Sequence, residues 1–232
     1  MKPLYKIPSG FASAVAFDMD GLMFDTERVY WKAASALLGR RGFEYTKELC
    51  DQIMGRPPEY CFKRFIEVFD LKEDWRDLRR EDEELFIGFL EEGIVASPGL
   101  GELLDELDRL RIPRCVCTSS ASRIAEKVLA KGGVRDRFDF VLTSDDVEKG
   151  KPDPEIYLKA AERFGVEPSR VLVLEDSVAG TRSAEAAGCP RVAFRADHNR
   201  DANFDSADFV VERLDDPNLL AFLQGSVLRR GY

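Results

Sequence analysis

The sequence predicts an α/β protein: a doubly wound parallel sheet of the Rossmann type with a helical domain inserted after its first strand. Three observations predict it. Short apolar runs of strand length alternate with longer segments whose apolar residues recur at helical spacing. Residues 28–95 break that alternation and hold helical patterns only. Clusters of acidic, hydroxyl and lysine residues follow the strands, at the strand ends where open parallel sheets bind ligands.

Taken in order, the first apolar run, 14–17, ends on Asp18 and Gly21 and reads as a buried strand. Helices are then expected over 28–38, 47–54, 58–69 and 74–90. In the last of these Trp75, Leu78, Leu85, Phe86, Phe89 and Leu90 form an apolar face among acids and arginines. A helical insertion at this point is expected to lie over the carboxyl ends of the strands, hinged at 25–28 and 93–98. The core domain is accordingly 1–27 with 96–232, and the cap domain 28–95. A helix over 101–110 carries Leu103, Leu104, Leu107 and Leu110 on one stripe. Strands are expected at 113–117, 138–142, 170–174, 190–194 and 208–211, and helices at 121–131, 155–164 and 178–187. Gly132, Gly165 and Gly188 stand where glycines close helices.

Composition narrows the functional class. A chain of 232 residues, 44% hydrophobic and 33% charged, suits a globular protein of one domain plus an insertion. A net charge of -9 disfavours nucleic acid and anionic membrane surfaces. No apolar stretch reaches membrane-spanning length, and residues 1–12 lack the apolar core of a signal peptide, so a cytoplasmic location is expected. The five cysteines, without zinc-like spacing, read as reduced thiols. Cys115 and Cys117 alternate along one strand and read as buried.

Four motifs follow predicted strands. In Asp18-Met19-Asp20-Gly21 two carboxylates can hold distinct roles. Asp18 suits a nucleophile, ionised at neutral pH from a reference pKa of about 3.9, and Asp20 suits a general acid and base. A calcium loop needs glycine at its sixth position, and here it is fourth. Thr118-Ser119-Ser120 opens a helix, where hydroxyls and amides cradle phosphate, although taken alone it favours an ordinary N-cap. In Lys149-Gly150-Lys151-Pro152-Asp153-Pro154 the prolines stiffen the loop around Lys151, which can neutralise both a phosphate and the nucleophile. Glu175-Asp176-Ser177 adds two acids. Each like-charge pair costs about 4 kcal/mol at ~4 Å and an effective dielectric of ~20. A hard dication such as magnesium, held by Asp18, Asp20, Glu175 and Asp176, removes that penalty. A phosphorylated small molecule then becomes acceptable to an otherwise acidic pocket.

In this order and at these separations the motifs resemble the haloacid dehalogenase superfamily. Phe17 to Glu27, Lys151 to Tyr157 and Leu174 to Gly180 look closest to its β-phosphoglucomutase-like branch, which includes phosphatases of small sugar phosphates, phosphoglycolate and nucleoside phosphates. The resemblance implies a phospho-aspartate at Asp18 and catalytic roles for Asp20, Thr118 and Lys151. It implies phosphate binding by Thr118, Ser119 and Lys151. It also implies magnesium on the Asp18 carboxylate, the Asp20 backbone carbonyl and Asp176, with Glu175 beside them. Mutases of the branch carry a histidine where this chain has Tyr30, and a cap arginine three residues after a glycine, where Gly55 is followed here by Arg56, Pro57 and Pro58. Dehalogenases and phosphonatases lack the second aspartate. The resemblance therefore implies a magnesium-dependent phosphatase, with a phosphomutase as the alternative. A phospho-accepting receiver module is the rival from another class, and the large insertion counts against it. Tyr30, Arg56 and Tyr60 are candidates for substrate specificity. His198, the only histidine, reads as solvated in a polar loop. The expected partner is a small phosphorylated metabolite, and the expected assembly a monomer or weak dimer.

Overall fold

The computed structural model describes residues 12–53 and 58–228. Six strands, β1 (Ala14–Phe17), β2 (Arg114–Cys117), β3 (Phe140–Leu142), β4 (Val171–Glu175), β5 (Arg191–Phe194) and β6 (Phe209–Val211), pair in the order β3-β2-β1-β4-β5-β6. Every pairing is parallel. Parallel strands need crossovers, and helices on both faces bury the sheet, so the strand sequences are continuous apolar runs rather than alternating ones. β1, β2 and β4 are buried at every position.

The strand order reverses between β1 and β4, leaving a crevice at their carboxyl ends. The register fixes what meets there. Phe17 pairs with Leu174 on one side and Val116 on the other. The next residues along these strands are Asp18, Glu175 and Cys117, followed by Thr118. The Asp18 N–H donates to the Leu174 carbonyl at 2.9 Å and continues the ladder by one residue.

The chain divides into two compact units, residues 1–25 with 95–232 and residues 26–94. The first holds the sheet with α5 (Leu100–Leu110), α6 (Ser122–Lys131), α7 (Glu155–Phe164), α8 (Val178–Ala186) and α9 (Pro217–Leu228). The second holds α1 (Glu27–Gly39), α2 (Lys47–Ile53), α3 (Pro58–Phe69) and α4 (Trp75–Leu90) around Leu37, Leu38, Leu49, Phe62, Phe65 and Leu78.

Three details differ from expectation. β4 runs one residue further, so Glu175 is the last strand residue and is wholly buried. α9 was not anticipated, yet Leu219, Phe222, Leu223 and Ser226 are buried at i, i+3, i+4 and i+7, a helical stripe. Gly132 does close α6, but with right-handed backbone, and Gly133 takes the left-handed conformation instead. The reason for glycine at 132 is packing: a Cβ there would lie 2.1 Å from the Phe24 ring.

Within α4, Leu78, Phe86 and Leu90 form the buried row, and Asp82 occupies the same row one turn from Leu78. Asp82 Oδ1 is out of solvent and has no hydrogen-bond partner among the described residues. Burial, then the Glu83 and Glu81 charges, push its carboxyl up to about 7. An acid raised in the folded state loses stability as pH climbs from its ordinary 3.8 through about 7. Asp82→Asn is therefore expected to gain on the order of 2 kcal/mol at pH 8 and almost nothing at pH 4. Urea denaturation at the two pH values checks this, and an equal gain at both would show that the charge of Asp82 is not the cause.

Candidate active site

Lys151 lies in the loop before α7, and its side chain is only 5% exposed. An ammonium has three N–H donors and no acceptor. Here all three are used: Nζ donates to Asp18 Oδ1 at 2.5 Å, Glu175 Oε1 at 2.6 Å and the Cys117 carbonyl at 2.8 Å. Burial alone would lower the Lys151 pKa, but the Asp18 and Glu175 carboxylates outweigh it and hold the group above the ordinary lysine range. Lys151 is thus a permanent cation tying the ends of β1, β2 and β4 together. Lys149, in the same loop, is exposed.

Glu175 is fully engaged. Oε1 also accepts the Tyr157 hydroxyl at 2.7 Å, and Oε2 accepts the N–H groups of Asp176 and Ser177 and the Ser177 hydroxyl. Ser177, the N-cap of α8, in turn accepts the Gly180 N–H. The carboxylate lies flat against the first turn of α8, where a Cβ on Gly180 would stand 1.8 Å from Oε1. Tyr157 is buried, and desolvation followed by the Glu175 and Asp18 charges raises its hydroxyl, so it remains a donor.

Asp20 faces the other way. Its Oδ2 accepts the Ser120 hydroxyl at 2.7 Å and the Thr118 hydroxyl at 3.2 Å. These hydroxyls do not cap α6: its N-cap is Ala121, and Asp145 accepts the Ser122 N–H instead. Their orientation is set by Asp20, and Ser120, named from sequence only as part of this motif and given no role, makes the shorter bond. Ser119 is exposed.

Oxygen ligands of Asp18, Glu175 and Asp176 lie within 4.8 Å of one another. The Asp20 carboxylate stands outside this group, so any share it takes in binding a metal falls to its backbone carbonyl. Burial, then the Glu175, Asp176 and Asp20 charges, raise the Asp18 carboxyl well above the ordinary carboxylate range against the pull of Lys151. The sequence places four carboxylates here and one buried lysine, and a hard dication among all-oxygen donors is the natural counter-charge. The cluster therefore fits a divalent metal.

His198 corrects its sequence reading. It is half-buried, with Nε2 at 2.7 Å from Asp176 Oδ2. Nothing in the local sequence marks it, because β5 delivers it to the site. Tyr30 and Tyr60 lie in the helical unit. Tyr30 packs its ring on Phe86 at 4.4 Å, and Tyr60 is 46% exposed. Arg56 lies outside the described residues. A separate cavity of about 410 Å³ opens at the amino ends of β2 and β3. Among its charged lining residues, Arg114 bonds to Asp108 and to the Arg137 carbonyl.

A parallel sheet of this order gathers an aspartate, a buried lysine and two further acids at its switch point. The chain belongs to the haloacid dehalogenase-like hydrolase family, whose model matches residues 15–194. It is 35% identical over 179 residues to a phosphorylated carbohydrates phosphatase of Thermotoga maritima, covering 77% of this chain and 83% of that protein. It is 35% identical over 185 residues to the fructose-1-phosphate phosphatase of Escherichia coli, covering 79% and 96%. Among solved structures, CbbY of Rhodobacter sphaeroides in complex with phosphate superposes with a TM-score of 0.82 at 26% identity, over 92% of this chain and all of that one.

Two substitutions separate the bonds around Glu175. Tyr157→Phe removes one donor and leaves Lys151 in place, so stability is expected to fall by about 1.5 kcal/mol with turnover kept within tenfold. Gly180→Ala drives a methyl into Glu175 and is expected to abolish turnover. Steady-state kinetics with thermal unfolding checks both, and normal turnover in Gly180→Ala would refute this account of Glu175.

Proposed function

We propose that the protein is a magnesium-dependent phosphatase of small phosphate monoesters that works through a phospho-aspartate. The observation that carries this reading is Lys151, buried and bonded at 2.5 Å to Asp18 Oδ1. A lysine so placed aims the carboxylate and offsets the charge that gathers on a transferring phosphoryl group. Asp18 attacks phosphorus as the ester P–O bond breaks. Asp20, held by Thr118 and Ser120, gives its proton to the departing alkoxide. It then takes a proton from water, whose oxygen attacks phosphorus and releases inorganic phosphate and free Asp18. Asp18, Asp176 and the Asp20 carbonyl, with Glu175 beside them, would hold magnesium, which neutralises the phosphate dianion when bound. Two of the phosphatases to which the chain is similar are named for phosphorylated carbohydrates and fructose 1-phosphate, which favours sugar phosphates as the substrate class. Residues 28–95 supply the cap of this reading, with Tyr30, Arg56 and Tyr60 as specificity positions and hydrolysis rather than phosphate migration as the outcome.

Phosphate release from a panel including fructose 1-phosphate is expected to require magnesium and to stop on chelation. Acid-quenched enzyme should carry phosphorus label that hydroxylamine removes, and Asp18→Asn should lose both label and turnover while remaining folded. Turnover without any trapped label in rapid-quench experiments would mean direct attack by water. With β-glucose 1-phosphate, formation of the 6-phosphate faster than phosphate release would establish the phosphomutase instead.

A further inference from the structure

The chain after β5 reaches back to the acidic cluster through one short turn, Asp197–Asn199. Asn199 anchors it with its whole side-chain amide. Its Nδ2 donates to the Asp176 carbonyl at 2.7 Å and to the Phe194 carbonyl at 2.9 Å, and its Oδ1 accepts the Ala196 N–H at 2.8 Å. The turn is thereby bonded to the residue that follows β4 and to the last residue of β5. The neighbouring His198 then meets the carboxylate of the same Asp176, Nε2 to Oδ2 at 2.7 Å. Consecutive residues of one turn therefore hold Asp176 at both ends, its backbone carbonyl and its side chain.

The loop after β1 closes the joint. Gly21 has φ +77°, and a Cβ there would lie 2.1 Å from Asp176 Oδ2 and 2.9 Å from His198 Nε2. Only a residue without a side chain lets the Asp18–Gly21 loop lie against this pair.

We propose that His198 is a positioning residue that orients the Asp176 carboxylate for metal binding. This rests on the reading of Asp176 as a metal ligand. An ionised carboxylate only accepts hydrogen bonds, so Nε2 carries the proton and the ring donates. That bond takes one lone pair of Oδ2 and stops rotation of the carboxylate, leaving its remaining lone pairs for a cation. Hydrogen bonding to a metal-binding carboxylate is worth about ten- to hundredfold in metal affinity. A glutamine amide N–H can stand where Nε2 stands, whereas alanine offers no donor.

The test is calorimetric titration of Mg2+ alone into metal-stripped wild type, His198→Ala, His198→Gln and Asp176→Asn, with thermal unfolding of each metal-free protein. His198→Ala is expected to weaken Mg2+ binding by about ten- to hundredfold, with the metal-free unfolding temperature near that of wild type, and His198→Gln to recover most of the affinity. Wild-type affinity in His198→Ala overturns the proposal. Equal weakening in the alanine and glutamine variants also overturns it, because ring packing rather than the N–H would then be responsible. Unchanged Mg2+ binding in Asp176→Asn would instead remove the metal reading on which the proposal rests, whatever the His198 variants do.

Discussion

Everything at the crevice depends on a single ammonium group. Lys151 is buried among an aspartate, a strand-end glutamate and a carbonyl, and satisfies all three with its three protons. Without it, Asp18 and Glu175 would be two buried charges forced together by the β1–β4 register. Taking ions out of water costs several kcal/mol each, and their attraction repays this only where geometry and extra hydrogen bonds are complete. They are complete here. Tyr157, Ser177 and two backbone N–H groups cover the rest of Glu175. Such a cluster contributes little net stability. Its value lies in holding a carboxylate at a strand end in one orientation with its counter-charge already in place.

The same logic explains why the strands are short. The sheet needs only enough apolar residues to fix the register. Once Phe17 is paired with Leu174 and Val116, the residues that follow are brought together without further specification. The topology makes β1 and β4 neighbours, and that adjacency creates the acid crowding that Lys151 relieves and that suits a dication.

What the sequence made legible follows this division. The strand runs, the helical segment 28–95 and the four motifs are local patterns, and apolar spacing or residue chemistry exposes them. Asp18, Asp20, Thr118, Lys151, Glu175 and Asp176 could be singled out because each follows a strand, and strand ends of a parallel sheet converge. The interactions that the sequence hid run between segments. Thr118 and Ser120 look like a helix cap until the structure shows Asp20 as their acceptor. Tyr157 looks like a core aromatic of α7, and its hydroxyl finds Glu175 from across the fold. Gly180 looks like a residue that weakens a helix, and its missing side chain is the space that Glu175 fills. His198 sits among polar residues that by themselves indicate a surface loop. The stripe of α9 was present in the sequence, but its strongly apolar composition blurs the contrast between faces by which amphipathic helices are recognised.

The glycine of the Asp18–Gly21 loop shows how far such hidden constraints reach. Its left-handed backbone alone would explain glycine, since other residues are strained there. The space around it is a second and independent reason, because Asp176 Oδ2 and His198 Nε2 stand where a Cβ would be. A loop that only had to turn could use asparagine, which tolerates the left-handed region through local hydrogen bonds. This one also has to lie against a carboxylate and an imidazole, and no side chain satisfies both demands. The loop after β1 is therefore shaped by residues more than 150 positions away in the chain. The acidic cluster and the turn that supports it form one packed unit, in which moving any member displaces the others.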